Sequence, residues 1–303
     1  MRDPSSGARL TLVLVTIIWG LNWPSARLGL QDFSPWIFRT VSFGASALIL
    51  LAVAKRRGIS LHIERGAARR HLAVAGLLSI GGFGVLAAFA QLATTTSRTA
   101  ICAYTMPIWA TLLARLFLDE RLDAWRSSAL LIGVGGLVVL FWPLLADGLP
   151  VGALYALGSA VSWAAGTVYL KWARIKGHPI AITAWQLVAG TIAVAIGLLI
   201  DGGEIGADIR LSSMAGLLYS TFVGTALAYL LWFQAIAQLP ASTAGLGTLL
   251  VPVIGVVASM LLLGDRPTAH DLIGFGLIFV AALCALSAST ANKPAALIEE
   301  GKS

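Results

Sequence analysis

Polar and charged residues gather in short clusters along this chain, and between them run apolar stretches of about 20 residues with no alternation of period two. A stretch of that length crosses about 30 Å of hydrocarbon as an α-helix, which satisfies its own backbone groups where no water can reach them. Ten such runs can be read: Leu10 to Leu28, Ser34 to Ala54, Leu72 to Gln91, Ser97 to Phe117, Arg126 to Leu144, Pro150 to Trp172, Pro179 to Ile200, Met214 to Ile236, Ser242 to Leu263 and His270 to Thr290. The pattern predicts an all-α polytopic membrane protein of ten transmembrane helices, its partner being the lipid bilayer.

Composition points the same way, since 58% apolar and 12% charged residues over 303 positions exceed what one soluble core needs. An even number of spans returns both termini to one face. With that face cytoplasmic, the loop carrying Lys55, Arg56, Arg57, Arg65, Arg69 and Arg70 lies inside, and only Arg27, Arg39, Arg98, Arg210 and Arg266 of the 21 Lys and Arg lie outside. The net charge of +7 therefore reads as an orientation signal, and no nucleic-acid partner is needed to explain it. Arg2 and Arg9 ahead of an apolar run also fit a secretory signal peptide. That run has an internal copy that must be a span, which favours a multi-pass protein of the bacterial inner membrane.

The copy emerges when the chain slides along itself. At an offset of 144, Trp19 falls on Trp163, Arg27 on Lys171 and Ser34-Pro35 on His178-Pro179; at 145, Ser97 falls on Ser242, Pro107 on Pro252, Glu120 on Asp265 and Arg121 on Arg266. Two five-helix halves follow, 1–147 and 148–292, with a cytoplasmic tail over 293–303. Five is odd, so the second half enters from the opposite face, the inverted repeat on which alternating access rests. Duplication retained for packing alone is the plainer alternative.

Trp belongs at membrane interfaces, where Trp36, Trp125, Trp142 and Trp172 lie, and Trp232 reads the same way. Trp19, Trp109 and Trp163 fall near mid-depth instead, which predicts a cavity that they line. Helical spacing puts Thr16, Trp19 and Trp23 on one face of the first span, Ser79, Phe83, Ala87 and Gln91 on one face of the third, Thr105 with Trp109 on the fourth, and Ser159, Trp163 and Gly166 on the sixth. Pro107 and Pro252 each free a carbonyl inside a span, so both are expected as hinges or site walls. Arg39 lies a turn inside its span, which suits either snorkelling or attraction of a carboxylate at a gate.

All 14 Asp and Glu fall in loops, tails or span ends. That argues against a cation site and against proton antiport through a buried carboxylate. Cys102 and Cys284 each sit within a span, where packing is their simplest role. No phosphate loop, HExxH or GxSxG motif occurs, so neither metal nor cofactor is expected, and no enzymatic site.

Trp19-Gly20-Leu21-Asn22-Trp23-Pro24, Pro107-Ile108-Trp109-Ala110 running to Leu118-Asp119-Glu120-Arg121, and Pro252-Val253-Ile254-Gly255 running to Leu263-Gly264-Asp265-Arg266 resemble the EamA repeats of the drug/metabolite transporter superfamily. The resemblance covers nearly the whole chain, though the embedded Glu of the small multidrug-efflux relatives is missing. It implies ten helices, a central cavity and export of small metabolites, with bacterial amino-acid exporters of the YddG kind as the nearest type. Independently of the resemblance, the small, aromatic and amide side chains on shared helix faces make Trp19, Asn22, Trp23, Phe83, Gln91, Thr105, Trp109, Trp163 and Gly166 the expected substrate contacts, with ordinary helix packing as the alternative for any one of them. The alternatives are export of drugs or other metabolites, or, from a different class, a membrane-embedded enzyme or scaffold.

Overall fold

A computed structural model describes residues 4–119, 124–146, 150–239 and 248–291. The joint between the halves at 147–149, Glu120 and Arg121, the start of the ninth span at Ser242 and the tail over 293–303 lie outside the described residues. The helices are α1 Pro4–Gly29, α2 Pro35–Arg56, α3 Ala67–Ala93, α4 Thr96–Phe117, α5 Ala124–Ala146, α6 Val151–Ala173, α7 Pro179–Asp201, α8 Leu211–Ile236, α9 Leu250–Leu263 and α10 Ala269–Ala291. Among them α2, α3, α4, α6, α7 and α8 are long and apolar enough to cross a bilayer, and Ser127–Trp142, Leu250–Leu263 and Ala269–Cys284 are shorter apolar stretches. No strand occurs among the described residues; one isolated antiparallel bridge joins Phe33 to Ile205.

The helix starts follow from local chemistry that the two halves share. Ser34 Oγ accepts the Ile37 N–H at 3.4 Å ahead of Pro35, and His178 Nδ1 accepts the Ile180 N–H at 3.3 Å ahead of Pro179. In both, a side chain satisfies an orphan donor and a proline fills a position whose N–H would be unpaired anyway. Gly264, at φ 73°, takes the left-handed conformation that ends α9.

Two helices carry a wide turn where the sequence predicts a regular one. Leu77–Gly82 within α3 and Tyr219–Leu227 within α8 are π-helical, and they fall at equivalent places in the two halves. A π stretch leaves carbonyls poorly paired, and neighbouring helices supply donors. Ser162 Oγ on α6 donates to the Leu78 carbonyl at 2.8 Å, and Ser46 Oγ on α2 donates to the Thr221 carbonyl at 2.8 Å.

Helix packing is symmetric under exchange of the halves: α2 pairs with α7, α5 with α10, α1 lies on α8 and α9, and α6 lies on α3 and α4. Gly136 of α5 and Gly274 of α10 allow that pairing its close approach, since a Cβ on Gly136 would stand 3.0 Å from the Gly274 carbonyl oxygen and the reverse contact is the same.

The loops meet at two ends. At the end poor in basic residues, Ser34 N–H donates to the Glu204 carbonyl at 2.9 Å and Gly206 N–H to the Asp32 carbonyl at 2.7 Å. Arg210 clasps Asp32 there, with its backbone N–H on Oδ2 at 2.9 Å. Arg98 binds Asp271 through two parallel bonds of 2.8 and 2.9 Å, and Ser97 donates twice to Asp265. Each of these contacts joins one half to the other. At the basic end the α2–α3 loop lies on α7, where Trp185 Nε1 donates to the Leu61 carbonyl at 3.0 Å.

Candidate functional site

The second half of α3 gathers several of the residues singled out from the sequence. Trp23 on α1 packs with Ala87 on α3 and with Ala100 and Ala103 on α4, and Phe83, Tyr104 and Met106 close around them. Arg27 donates to the Gln91 carbonyl at 2.6 Å, and Arg39 donates through Nε to the Gly84 carbonyl at 2.9 Å. Three helices are thereby tied to residues 83–91.

Arg39 is only 7% exposed, and its guanidinium lies 5.1 Å from the Phe38 ring centre and 5.4 Å from that of Phe43. A guanidinium carries five N–H donors, and here one is used. Among the described residues no carboxylate pairs with it, and both Nη nitrogens lack a hydrogen bond. Its cationic face is instead met by the two rings, as cation–π geometry allows. Such a group is suited to a carboxylate that arrives and leaves.

Further buried polar atoms stand without partners. Gln91 is 1% exposed, and neither its Oε1 nor its Nε2 has a hydrogen bond; Asn22 Oδ1 is in the same state. Each such atom costs on the order of 1–3 kcal/mol unless something binds it.

The fourth helix is broken. Thr96–Ala103 ends, Tyr104 and Thr105 turn, and Met106–Phe117 begins, so Pro107 stands in the first turn of a new segment and interrupts no continuous helix. Thr105 is fully buried; its hydroxyl donates to the Cys102 carbonyl at 2.7 Å and accepts Trp109 Nε1 at 3.1 Å. The break therefore sets the direction of the Trp109 ring. Pro252 occupies the first described turn of α9, where neighbouring Ile254 and Gly255 press on Gly20 and Trp23 of α1.

Trp19 lies in a different cluster. Its ring centre is 6.2 Å from that of Tyr229 and 5.4 Å from that of Trp232 on α8, and Tyr229 stacks on Phe233. Trp232, which the sequence suggests for the interface, thus belongs with Trp19. Trp163 is half-buried on α6 and makes no ring contact with Trp19 among the described residues.

The expected single face of Ser79, Phe83, Ala87 and Gln91 is divided. Ser79 turns to α6 and α7, accepting Gln186 Nε2 at 3.2 Å, whereas Phe83 and Ala87 join the Trp23 cluster. The cause is the π stretch, whose wider turn shifts the register between positions 79 and 83. Each π stretch is met by the same position of the opposite half. Asn22 on α1 presses its Oδ1 against Gly224 in α8, and its repeat partner Gly166 on α6 lets the Ser79 backbone approach, with room for no Cβ because one would stand 2.6 Å from Ser79 N. Sequence reading misses the π stretches and Tyr229; a possible signal is the glycine cluster Gly81, Gly82 and Gly84 beside Ser79.

Among the described residues are cavities of about 290 and 300 Å³. One lies between the α2–α3 loop, α3 and α7, the other between α3, α4 and α6, and neither is walled by Trp19, Trp109 or Trp163. Outside the spans, the Arg210 guanidinium, helped by the Arg210 backbone N–H, holds the Asp32 carboxyl well below the usual carboxylate range. Among the described residues no three His, Cys, Asp or Glu side chains converge as a metal site would require.

Comparison with known proteins accords with this arrangement. A solved crystal structure covers 97% of the chain and 100% of its own, with a TM-score of 0.62 at 19% identity, so the fold is shared. The Bacillus subtilis uncharacterized transporter YoaV is 26% identical over 274 residues, covering 89% of this chain and 93% of the relative. A probable amino-acid metabolite efflux pump of Escherichia coli is 24% identical over 280 residues, covering 88% of this chain and 90% of the relative. The EamA-like transporter family matches twice, over residues 7–142 and 150–287, and with two repeats filling most of its length the chain belongs to that family.

Proposed function

We propose that this transporter exports small zwitterionic or neutral organic solutes, amino acids first, by alternating access between two inverted five-helix halves of a ten-span protein. Both termini are then cytoplasmic, in the inner membrane of a bacterium. The observation that carries the reading is the paired π stretches, each pressed by the repeat-equivalent residue of the other half, Asn22 or Gly166. Two joints of equal kind on opposite sides are what near-symmetric halves need if they are to exchange conformations. The substrate class rests on the Escherichia coli relative's name and on the chemistry beside α3. The Arg39 guanidinium, which uses only its Nε–H on the Gly84 carbonyl, suits a carboxylate, Gln91 and Asn22 suit polar atoms, and Trp23, Phe83 and Trp109 suit an apolar or aromatic side chain.

The carboxylates of the spans stand at helix ends, Asp271 in the first turn of α10 and Asp201 at the end of α7, so movement down the solute gradient is the simplest energetics. The seam at the end poor in basic residues closes the outer side in this conformation. Counterflow of labelled amino acids in proteoliposomes tests the proposal. Exchange should appear for a subset of amino acids and fall when Trp23 or Trp109 becomes Ala; no exchange for any amino acid, with exchange of other metabolites, would remove the assigned substrate class.

A further inference from the structure

The groove between the α2–α3 loop and α7 has chemistry that solute transport does not use. It holds about 290 Å³. Leu61 and Leu72 form one wall, and Trp185, Val188 and Ile192 form the other, running down the apolar face of α7. Both α3 and α7 are long and apolar enough to cross a bilayer, so the lower part of the groove faces acyl chains. Its mouth carries Arg69, whose Nε donates to the Ile63 carbonyl at 3.2 Å. Among the described residues no carboxylate pairs with Arg69, and Arg65 and Arg70 beside it are exposed. Trp185 is fastened to the loop by its indole N–H, which keeps the wall in place.

We propose that this groove holds an anionic phospholipid of the leaflet at the basic end, one acyl chain lying along Val188 and Ile192 and the phosphate on Arg69. Charge complementarity selects the occupant. The loop and the start of α3 hold Lys55, Arg56, Arg57, Arg65, Arg69 and Arg70 against Glu64 alone, the composition that collects acidic headgroups at a membrane surface. A free phosphate would use the arginines and leave the apolar wall empty. A zwitterionic lipid would fill the wall without using the charge.

Native mass spectrometry of the detergent-solubilised full chain, titrated with phosphatidylglycerol or phosphatidylcholine, tests this. The anionic lipid should bind more tightly, and Arg69→Gln should weaken it about fivefold, the factor contributed by one cation near an anionic surface, without altering phosphatidylcholine binding. Ile192→Trp, which fills the lipid-facing wall, should remove the bound anionic lipid with the arginines intact, whereas Arg266→Gln at the opposite end should change nothing. Equal binding of the two lipids, or retention unaffected by both groove substitutions, would overturn the assignment. So would displacement of the lipid by inorganic phosphate alone, or a chain dimer that dissociates on Ile192→Trp.

Discussion

At the scale of single residues, the sharpest contrast lies between glycines that touch and glycines that do not. A methyl at Gly166 would meet Ser79 backbone at 2.6 Å, and backbone cannot swing aside, whereas one at Gly158 would meet Leu86 Cδ1 at an ordinary 3.5 Å. Gly166→Ala is therefore expected to destabilise the protein by about 1–3 kcal/mol and Gly158→Ala to be near neutral, compared by thermal unfolding in detergent. Equal melting temperatures for the two variants would show that the α3–α6 contact relaxes freely. Arg39 presents a different case, since its charge is buried between rings and only one of its donors is used. Arg39→Ala should reduce amino-acid counterflow with normal membrane insertion, and Arg39→Lys should restore it only in part, because an ammonium lacks the planar fork. Unchanged counterflow in both variants would remove Arg39 from solute recognition.

Elements show how far a linear pattern carries. Apolar runs and charge clusters locate the helices well, because burial in lipid and the length needed to cross it are properties of a segment. Ser34-Pro35 and His178-Pro179 even mark two helix starts to the residue. The π stretches were not legible, since Leu77–Gly82 holds no proline and its extra residue per turn depends on carbonyls finding donors on other helices. That one irregularity also explains why Ser79 leaves the face of Phe83. The contact of Trp232 with Trp19 is invisible to a linear pattern for a related reason, since the two lie over 200 residues apart, while its place near a span end, beside Ala8, Leu12 and Leu239, is legible. The broken α4 was half legible, because Pro107 announced an interruption but the turn itself forms at Tyr104 and Thr105. Removing a donor from either π joint should be felt. Ser162→Ala and Ser46→Ala are each expected to cost about 0.5–1.5 kcal/mol, read as a lowered melting temperature. An unchanged melting temperature in either variant would show that its π stretch does not depend on that donor.

For the whole molecule, the question is which end opens. The seam of Arg98 with Asp271 and Arg210 with Asp32 ties the halves together at one end. In a background free of Cys102 and Cys284, a cysteine placed at Phe83 should react faster with an impermeant maleimide once Asp271→Asn weakens the seam. An unchanged labelling rate would mean that the pair does not hold the closed state. Acid should be a poor substitute for mutation at Asp32. A carboxyl held below its ordinary range stabilises the folded seam at every pH above that range, and its contribution fades only as pH falls through the lowered value. Labelling, normalised to that of a fully exposed cysteine to remove the fall in thiolate with acid, should accordingly stay constant between about pH 7 and pH 5, and a rise across that interval would contradict the tight clasp by Arg210.

Beside that clasp, the Phe33–Ile205 bridge and its flanking amide bonds belong to the main chain alone. A fastening made of peptide groups is indifferent to side-chain identity, so outside Asp32, Phe33, Ser34 and Arg210 mutational drift in the two loops can proceed while their lengths cannot change. Inserting or deleting one residue there would throw the rungs out of step, and indel intolerance at positions that themselves accept substitution is the signature this closure should leave on its lineage.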